Sequence, residues 1–207
     1  MAMDHDERAQ LEARIKAACA ASTYGEAATV AVRGFGPELV GYLAAVTRSE
    51  SDAAEIFSAL CEDMWKGLPG FRWDCSFRTW AYTLARHAWL RYARDPLRRR
   101  GRAIPLESAS EVFAIADEVR TRTLDYLRTE VKDRVAALRD KLDPEDQTLL
   151  LLRVNRKLAW RDIARILSED EDFGDAALAK KAAALRKRFE RIKEALREMA
   201  GVPTGDA

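Results

Sequence analysis

Apolar residues recur at three- and four-residue spacing along almost the whole chain, and no window shows the alternation with β-branched residues that a half-buried strand requires. The pattern predicts helix throughout, punctuated by Gly and Pro at Gly34 to Pro37, Gly67 to Gly70, Asp95-Pro96, Ile104-Pro105, Asp143-Pro144, Gly174 and the tail after Gly201. Helices are expected from Glu7, from Pro37, from Ser51, where Ser51 and Glu55 come close to a capping box, and from Ser76. Others are expected around Val119 to Leu142, from Pro144 to Val154, from Ala159 to Leu167, and over a long C-terminal stretch ending near Met199. In the last, Leu178, Ala182, Leu185, Phe189, Ile192, Leu196 and Met199 form one apolar stripe suited to packing on its own domain.

Between Asp95 and Ser110 the periodicity lapses, and DPLRRRGRAIPLESAS has the composition of a linker. The expected fold is all-α: two small helical domains joined by a flexible linker. The first takes residues 1–94, the linker 95–115, the second 116–200 with a helix-turn-helix, and a tail 201–207. A chain of 207 residues with 48% apolar content can give each domain a core.

The formal net charge of +1, from 35 Lys and Arg against 34 Asp and Glu, conceals a local asymmetry. From Arg86 to Arg102 there are seven arginines and one acid, Asp95, while Glu169, Asp170, Glu171, Asp172 and Asp175 form an acidic run. A basic segment of that density suits a phosphate backbone, with a solvated helix face as the plainer alternative. No stretch approaches the roughly 18 apolar residues of a membrane span, and the start MAMDHDERAQLEAR is too acidic for a signal peptide, so a cytoplasmic protein is expected. Cys19, Cys61 and Cys75, with His5 and His87, lack metal-ligand spacing and read as free thiols and isolated imidazoles. No cofactor or metal is expected. Neither a nucleophilic triad nor a Gly-rich phosphate loop is present, so no enzymatic activity is expected.

Two motifs carry candidate chemistry. LAWRDIARIL, Leu158 to Leu167, precedes a strongly basic helix, the pattern of a helix-turn-helix. In that motif Leu185, Phe189 and Ile192 face inward and Arg186, Lys187, Arg188 and Arg191 face the major groove. A basic face on an ordinary antiparallel helix pair is the alternative. The second motif, GLPGFRWDCSFRTWAYTLARHAWLRYAR from Gly67 to Arg94, concentrates aromatic residues. Phe77, Trp80, Leu84 and Ala88 share a predicted core face; Tyr82, Arg86 and Trp89 share another, and Thr83, His87, Arg91 and Arg94 a third. Rings beside arginines suit single-stranded nucleic acid, whose bases stack while guanidinium groups hold phosphates. For Trp73, Tyr82 and Trp89 the alternative is an amphipathic ring covering a hydrophobic edge.

These residues make the chain resemble the bacterial extracytoplasmic-function (ECF) sigma factors, compact two-domain members of the sigma-70 superfamily, from about Pro37 to Leu196. The resemblance rests on Asp52-Ala53-Ala54-Glu55-Ile56-Phe57, on Met64-Trp65, and on the loop Leu68 to Ser76 with Phe71-Arg72. It continues through Phe77, Thr79, Trp80, Tyr82, Ala85 and Arg86, then Leu142-Asp143-Pro144, Leu152-Arg153, Ile163-Ala164 and the basic helix Leu185 to Leu196. It implies a non-enzymatic factor that binds core RNA polymerase, melts the minus-10 promoter element and reads the minus-35 element as duplex. It also implies roles for residues. Phe71, Arg72, Trp73, Tyr82, Arg86, His87, Arg91 and Arg94 would engage the opened minus-10 strand. Arg186, Lys187, Arg188 and Arg191 would engage the minus-35 duplex, and Asp52, Glu55 and Ser58 the polymerase clamp. Promoter DNA and core polymerase are the implied partners, and an anti-sigma factor is compatible with them. The chain departs from the family's usual Glu-Asp pair at Ala54-Glu55, its Gln at Ser58 and its Asn at His87, and about sixteen residues, Ser168 to Ala183, stand between the motif helices where the family has a short turn. The competing reading is a helical regulator that binds duplex DNA or a protein partner without melting a promoter.

Overall fold

The computed structural model describes residues 3–94, 110–129, 141–168 and 174–200. All the described elements are helical, as the periodicity predicts. Asp4 opens α1 (His5–Ala20) with a reciprocal capping box: its carboxylate accepts the Glu7 N–H at 2.8 Å, and the Glu7 carboxylate accepts the Asp4 N–H at 2.9 Å.

Helix α2 (Tyr24–Thr47) runs straight through Pro37, where the sequence predicts a helix start. The neighbouring glycines are packing devices rather than breaks. A Cβ on Gly34 would lie 2.2 Å from Leu11 Cδ2 of α1, and one on Gly36 would lie 2.8 Å from Val119 Cγ1. Helix α3 (Glu50–Gly67) is capped by Ser49, whose Oγ accepts the Asp52 N–H at 3.2 Å, so the cap lies two residues before the expected Ser51. A 3₁₀ turn, Leu68–Gly70, leads to the loop before α4 (Phe77–Arg94), where the Ser76 hydroxyl accepts the Thr79 N–H.

Helix α5 (Ser110–Thr129) corrects the expected domain boundary. The chain divides after Thr129, and α5 packs on α2 and α3 within the first unit. Its own apolar positions drive this: Val112, Ile115, Ala116 and Leu124 are buried, and Gly36 lets Val119 approach the α2 backbone. Most of the expected linker, and the helix predicted at 119–142 beyond Thr129, lie outside the described residues. Phe35, Leu39, Tyr42, Leu43, Ile56, Phe57, Leu60, Met64 and Phe77 fill the unit's core.

In the second unit Asp143 caps α6 (Pro144–Leu150), accepting the N–H groups of Glu145 and Asp146 at 2.9 and 3.0 Å. A π-helical turn, Leu151–Asn155, follows, then α7 (Trp160–Ile166) and α8 (Asp175–Met199). Leu152, Leu158, Ile163, Ala164, Leu178, Leu185 and Ile192 form the buried seam, with Phe189 and Leu196 half-buried and Met199 exposed. Because α8 begins at Asp175, the Ala- and Lys-rich residues 175–183 are its first two turns and not part of an extended break. The acids Glu169 to Asp172 lie outside the described residues.

Candidate nucleic-acid interface

The loop between the 3₁₀ turn and α4 is built on four rings. Phe71 stacks on Trp80 with centroids 4.6 Å apart and planes 21° apart, and lies 4.7 Å from Trp73 and 6.0 Å from Phe77. Phe77 is buried and anchors the cluster, whereas Phe71, Trp73 and Trp80 are half-buried. Trp73 has φ 62°, a left-handed conformation that costs a non-glycine residue about 1–3 kcal/mol. The surrounding rings hold it there, so the loop presents its indole at a fixed place. From outside the loop, Lys16 of α1 sets its ammonium 5.6 Å from the Trp73 ring. Glu12, one turn earlier, accepts the Arg78 N–H at 3.1 Å in the first turn of α4. Sequence reasoning missed both α1 residues, because only tertiary packing brings them to the loop.

Helix α4 is rotated from its expected orientation. Trp80, predicted to be core, is half-buried and lies against Gly67, where a Cβ would come within 2.9 Å of its ring. Tyr82, predicted to face a strand, is fully buried, edge-on to Tyr42 at 5.3 Å with the Arg78 guanidinium 5.6 Å from its ring. Arg86 is only 8% exposed, and its Nε has no hydrogen-bond partner among the described residues. Tyr82 is therefore wholly enclosed in this structure, and Arg86 reaches the surface only with that small remainder. The cause is volume: Ala81, Ala85 and Ala88 let α4 approach its neighbours closely on this side, and Tyr82 and Arg86 are carried inward with them. Burial pushes the neighbouring Tyr42 phenol up to about 12, with the Arg86 charge acting in the opposite direction. Arg78 reaches Glu38 in a bidentate pair, at 2.7 and 3.1 Å.

The other expected minus-10 residues fall on the accessible side. Arg72 is exposed and donates to Asp74 at 3.1 Å, His87 is half-buried, and Arg94 is exposed. Arg91 is exposed and paired with Asp63 of α3. Arg98, Arg99, Arg100 and Arg102 lie outside the described residues.

On α3, Asp52 accepts the Tyr92 hydroxyl at 2.9 Å, which ties it to α4, and the exposed Ser58 turns its hydroxyl to the Ala54 carbonyl at 3.1 Å. Glu55 lines an open groove with Glu50, Ser51 and Ala54 of α3 and with Arg120 and Leu124 of α5.

In the second unit α8 divides its cations. Lys187 and Arg191 are exposed and make no ion pair among the described residues. Arg186, also exposed, lies 5.8 Å from the Trp160 ring, which Arg153 approaches at 4.7 Å and Phe189 meets edge-on. Arg188, expected to face DNA, instead turns to the start of α6, donating to Glu145 at 2.7 Å, to Asp143 at 3.3 Å and to Asp146. The reason is charge: three carboxylates in the cap and first turn of α6 surround its guanidinium. The Asp146 N–H holds the Asp143 carboxyl below its usual range, whereas burial raises that of Asp146. Lys181 donates to the Leu167 carbonyl at 2.7 Å, and Arg161 pairs with Asp175, so the first turns of α8 are fastened to α7.

Among the described residues, no group of His, Cys, Asp or Glu could hold a metal ion, and no helix is long and apolar enough to cross a membrane. Burial pushes the Cys61 thiol up to about 12.

The aromatic loop, α3, α4 and most of α2 lie within a segment that matches a known family. Residues 31–100 match the family model of sigma-70 region 2. Over 160 residues, 76% of this chain and 88% of the relative, the sequence is 26% identical to RNA polymerase sigma factor YlaC of Bacillus subtilis (strain 168). No solved structure matches the chain. Over residues 31–100 the chain is thus similar to sigma-70 region 2, and over most of its length it is similar to an RNA polymerase sigma factor.

Proposed function

We propose that this protein is a sigma factor of the ECF type that binds core RNA polymerase and directs promoter-specific initiation, with the first unit melting the minus-10 element and the second reading the minus-35 element. The observation that carries the reading is the aromatic loop Phe71 to Trp80, which lies inside the region 2 match and holds half-buried rings beside the cations of α4. Capturing a base from the duplex costs a few kcal/mol, which stacking on an aromatic surface offsets. Phe71, Trp73 and His87 are the base-facing candidates, Arg94 is the phosphate contact, and Arg72 and Arg91 join it on leaving Asp74 and Asp63. On α8, Lys187 and Arg191 are the phosphate and base-edge contacts to duplex, with Arg186 beside them. Asp52, Glu55 and Ser58 make the polymerase contact along α3. The protein acts in the cytoplasm and performs no catalysis itself.

The test is run-off transcription with bacterial core polymerase on promoters selected from a random duplex pool. The expected result is transcripts that require both proteins, with permanganate-reactive thymines in the melted segment. Duplex binding by the chain without initiation would replace this reading with that of a simple DNA-binding regulator.

A further inference from the structure

The N-terminal helix α1 lies before residues 31–100, the segment that matches the family model of sigma-70 region 2. Its placement is specific. Leu11 packs against the bare backbone of Gly34, Glu12 accepts the Arg78 N–H at the start of α4, and Lys16 stands 5.6 Å from the Trp73 ring. The first two contacts fix α1 to α2 and α4, so the position of Lys16 over the loop is set from both sides.

Lys16 is exposed and makes no ion pair among the described residues, although Arg72 beside Trp73 is already paired with Asp74. Trp73 is held in a left-handed backbone conformation with its ring half-exposed. An exposed ammonium that has no ion pair and rests only against an indole matches the chemistry of one nucleotide: a planar base packing at the ring edge left open and an anionic phosphate at the cation.

We propose that α1 completes the strand-capturing site of the first unit, with Lys16 binding a backbone phosphate of the opened DNA strand next to the base that packs on Trp73. This rests on the promoter-melting reading above and adds to it a contact from outside the matched segment. Lys16 is a binding residue, and Glu12 is the positioning residue that ties its helix to α4.

The experiment uses the full chain assembled with core polymerase on a promoter selected from a random duplex pool, read by permanganate reactivity across a series of salt concentrations. The parent opens the promoter. Lys16→Ala is expected to reduce opening about threefold and Lys16→Glu about tenfold, whereas Lys16→Arg retains it. The slope of log opening against log salt is expected to fall by about one counterion in Lys16→Ala, which loss of a purely structural residue would not produce. Trp73→Ala is expected to reduce opening as well. All variants are checked for unchanged melting by circular dichroism. If Lys16→Glu opens the promoter as the parent does, with the same salt slope, the proposal fails while the melting function stands. If Trp73→Ala opens normally while Lys16→Glu does not, the pairing of cation and ring fails. A parent that opens no promoter overturns the underlying function and the proposal with it.

Discussion

In the first unit the guanidinium groups of α4 are largely drawn toward protein: Arg78 to Glu38, Arg86 into the core beside Tyr42, and Arg91 to Asp63. What the accessible side offers most distinctively is rings, those of Phe71, Trp73 and Trp80. The second unit reverses the balance. Its aromatic pair, Trp160 and Phe189, supports α8, while Lys187 and Arg191 project with no ion pair among the described residues. The two arrangements suit two states of one polymer. Unstacked bases demand flat apolar surfaces, whereas an intact duplex presents phosphates and groove edges to cations. Among the described residues of both units, the arginines of the sequence overstate the charge available at the surface.

The comparison is broken most severely at Tyr82. Its ring belongs to the core, so Tyr82→Ala should destabilise the first unit by about 3–5 kcal/mol. Trp73→Ala, at a half-exposed and strained position, should shift stability by no more than about 1 kcal/mol while impairing strand opening. Thermal melting followed by circular dichroism separates the two; equal destabilisation would erase the distinction between core and surface rings.

A smaller effect distinguishes the cations of α8. Arg188→Ala should cost about 1 kcal/mol of stability, because it leaves three acids at the start of α6 without their shared cation, and should leave the salt dependence of duplex binding unchanged. Lys187→Ala and Arg191→Ala should each reduce the slope of log affinity against log salt by about one, with unchanged melting. Fluorescence anisotropy on a duplex oligonucleotide, measured with polymerase present, makes the comparison. A loss of slope in Arg188→Ala would mean that this side chain leaves its acids to meet DNA.

The smallest effect concerns Tyr42. Its hydroxyl is buried with no hydrogen-bond partner among the described residues, so Tyr42→Phe should be stabilising, by up to about 1 kcal/mol at pH 7. The phenol titrates at about 12 in the folded chain against an ordinary value of 10, so folding favours its protonated form. That contribution is complete below pH 10 and is lost as pH rises toward 12. The stability gap between Tyr42→Phe and the parent should therefore widen over this interval, as measured by denaturant titration. A constant gap would remove the phenol as the cause.

The sequence exposes the helical class and most helix positions, because amphipathic spacing depends on neighbours three and four residues away. It misleads where distant packing decides. Gly34, Gly36 and Pro37 look like a break, yet the glycines admit Leu11 and Val119, and the helix continues. The face of α4 is misread because Trp80 outweighs alanine in a hydrophobic pattern, whereas close approach favours Ala81 and Ala85 and carries Tyr82 inward. Arg188 carries no local mark of its capture, since its acids lie on another helix. The loop Phe71 to Ser76 was legible from its aromatic density, but Lys16 and Glu12 were not, because no local pattern links α1 to that loop.

The two glycines of α2 also bear on where this chain can be cut. Residues 31–100, the part that matches the family model, omit both the helix that fills the notch at Gly34 and the helix that fills the notch at Gly36. A fragment trimmed to that segment would expose Phe35, Leu39 and their apolar neighbours along two open grooves, the kind of surface that drives aggregation. The segment that matches the family model and the first compact unit are thus different lengths of the same chain. The first unit, which keeps both notches filled, runs from Met1 to Thr129.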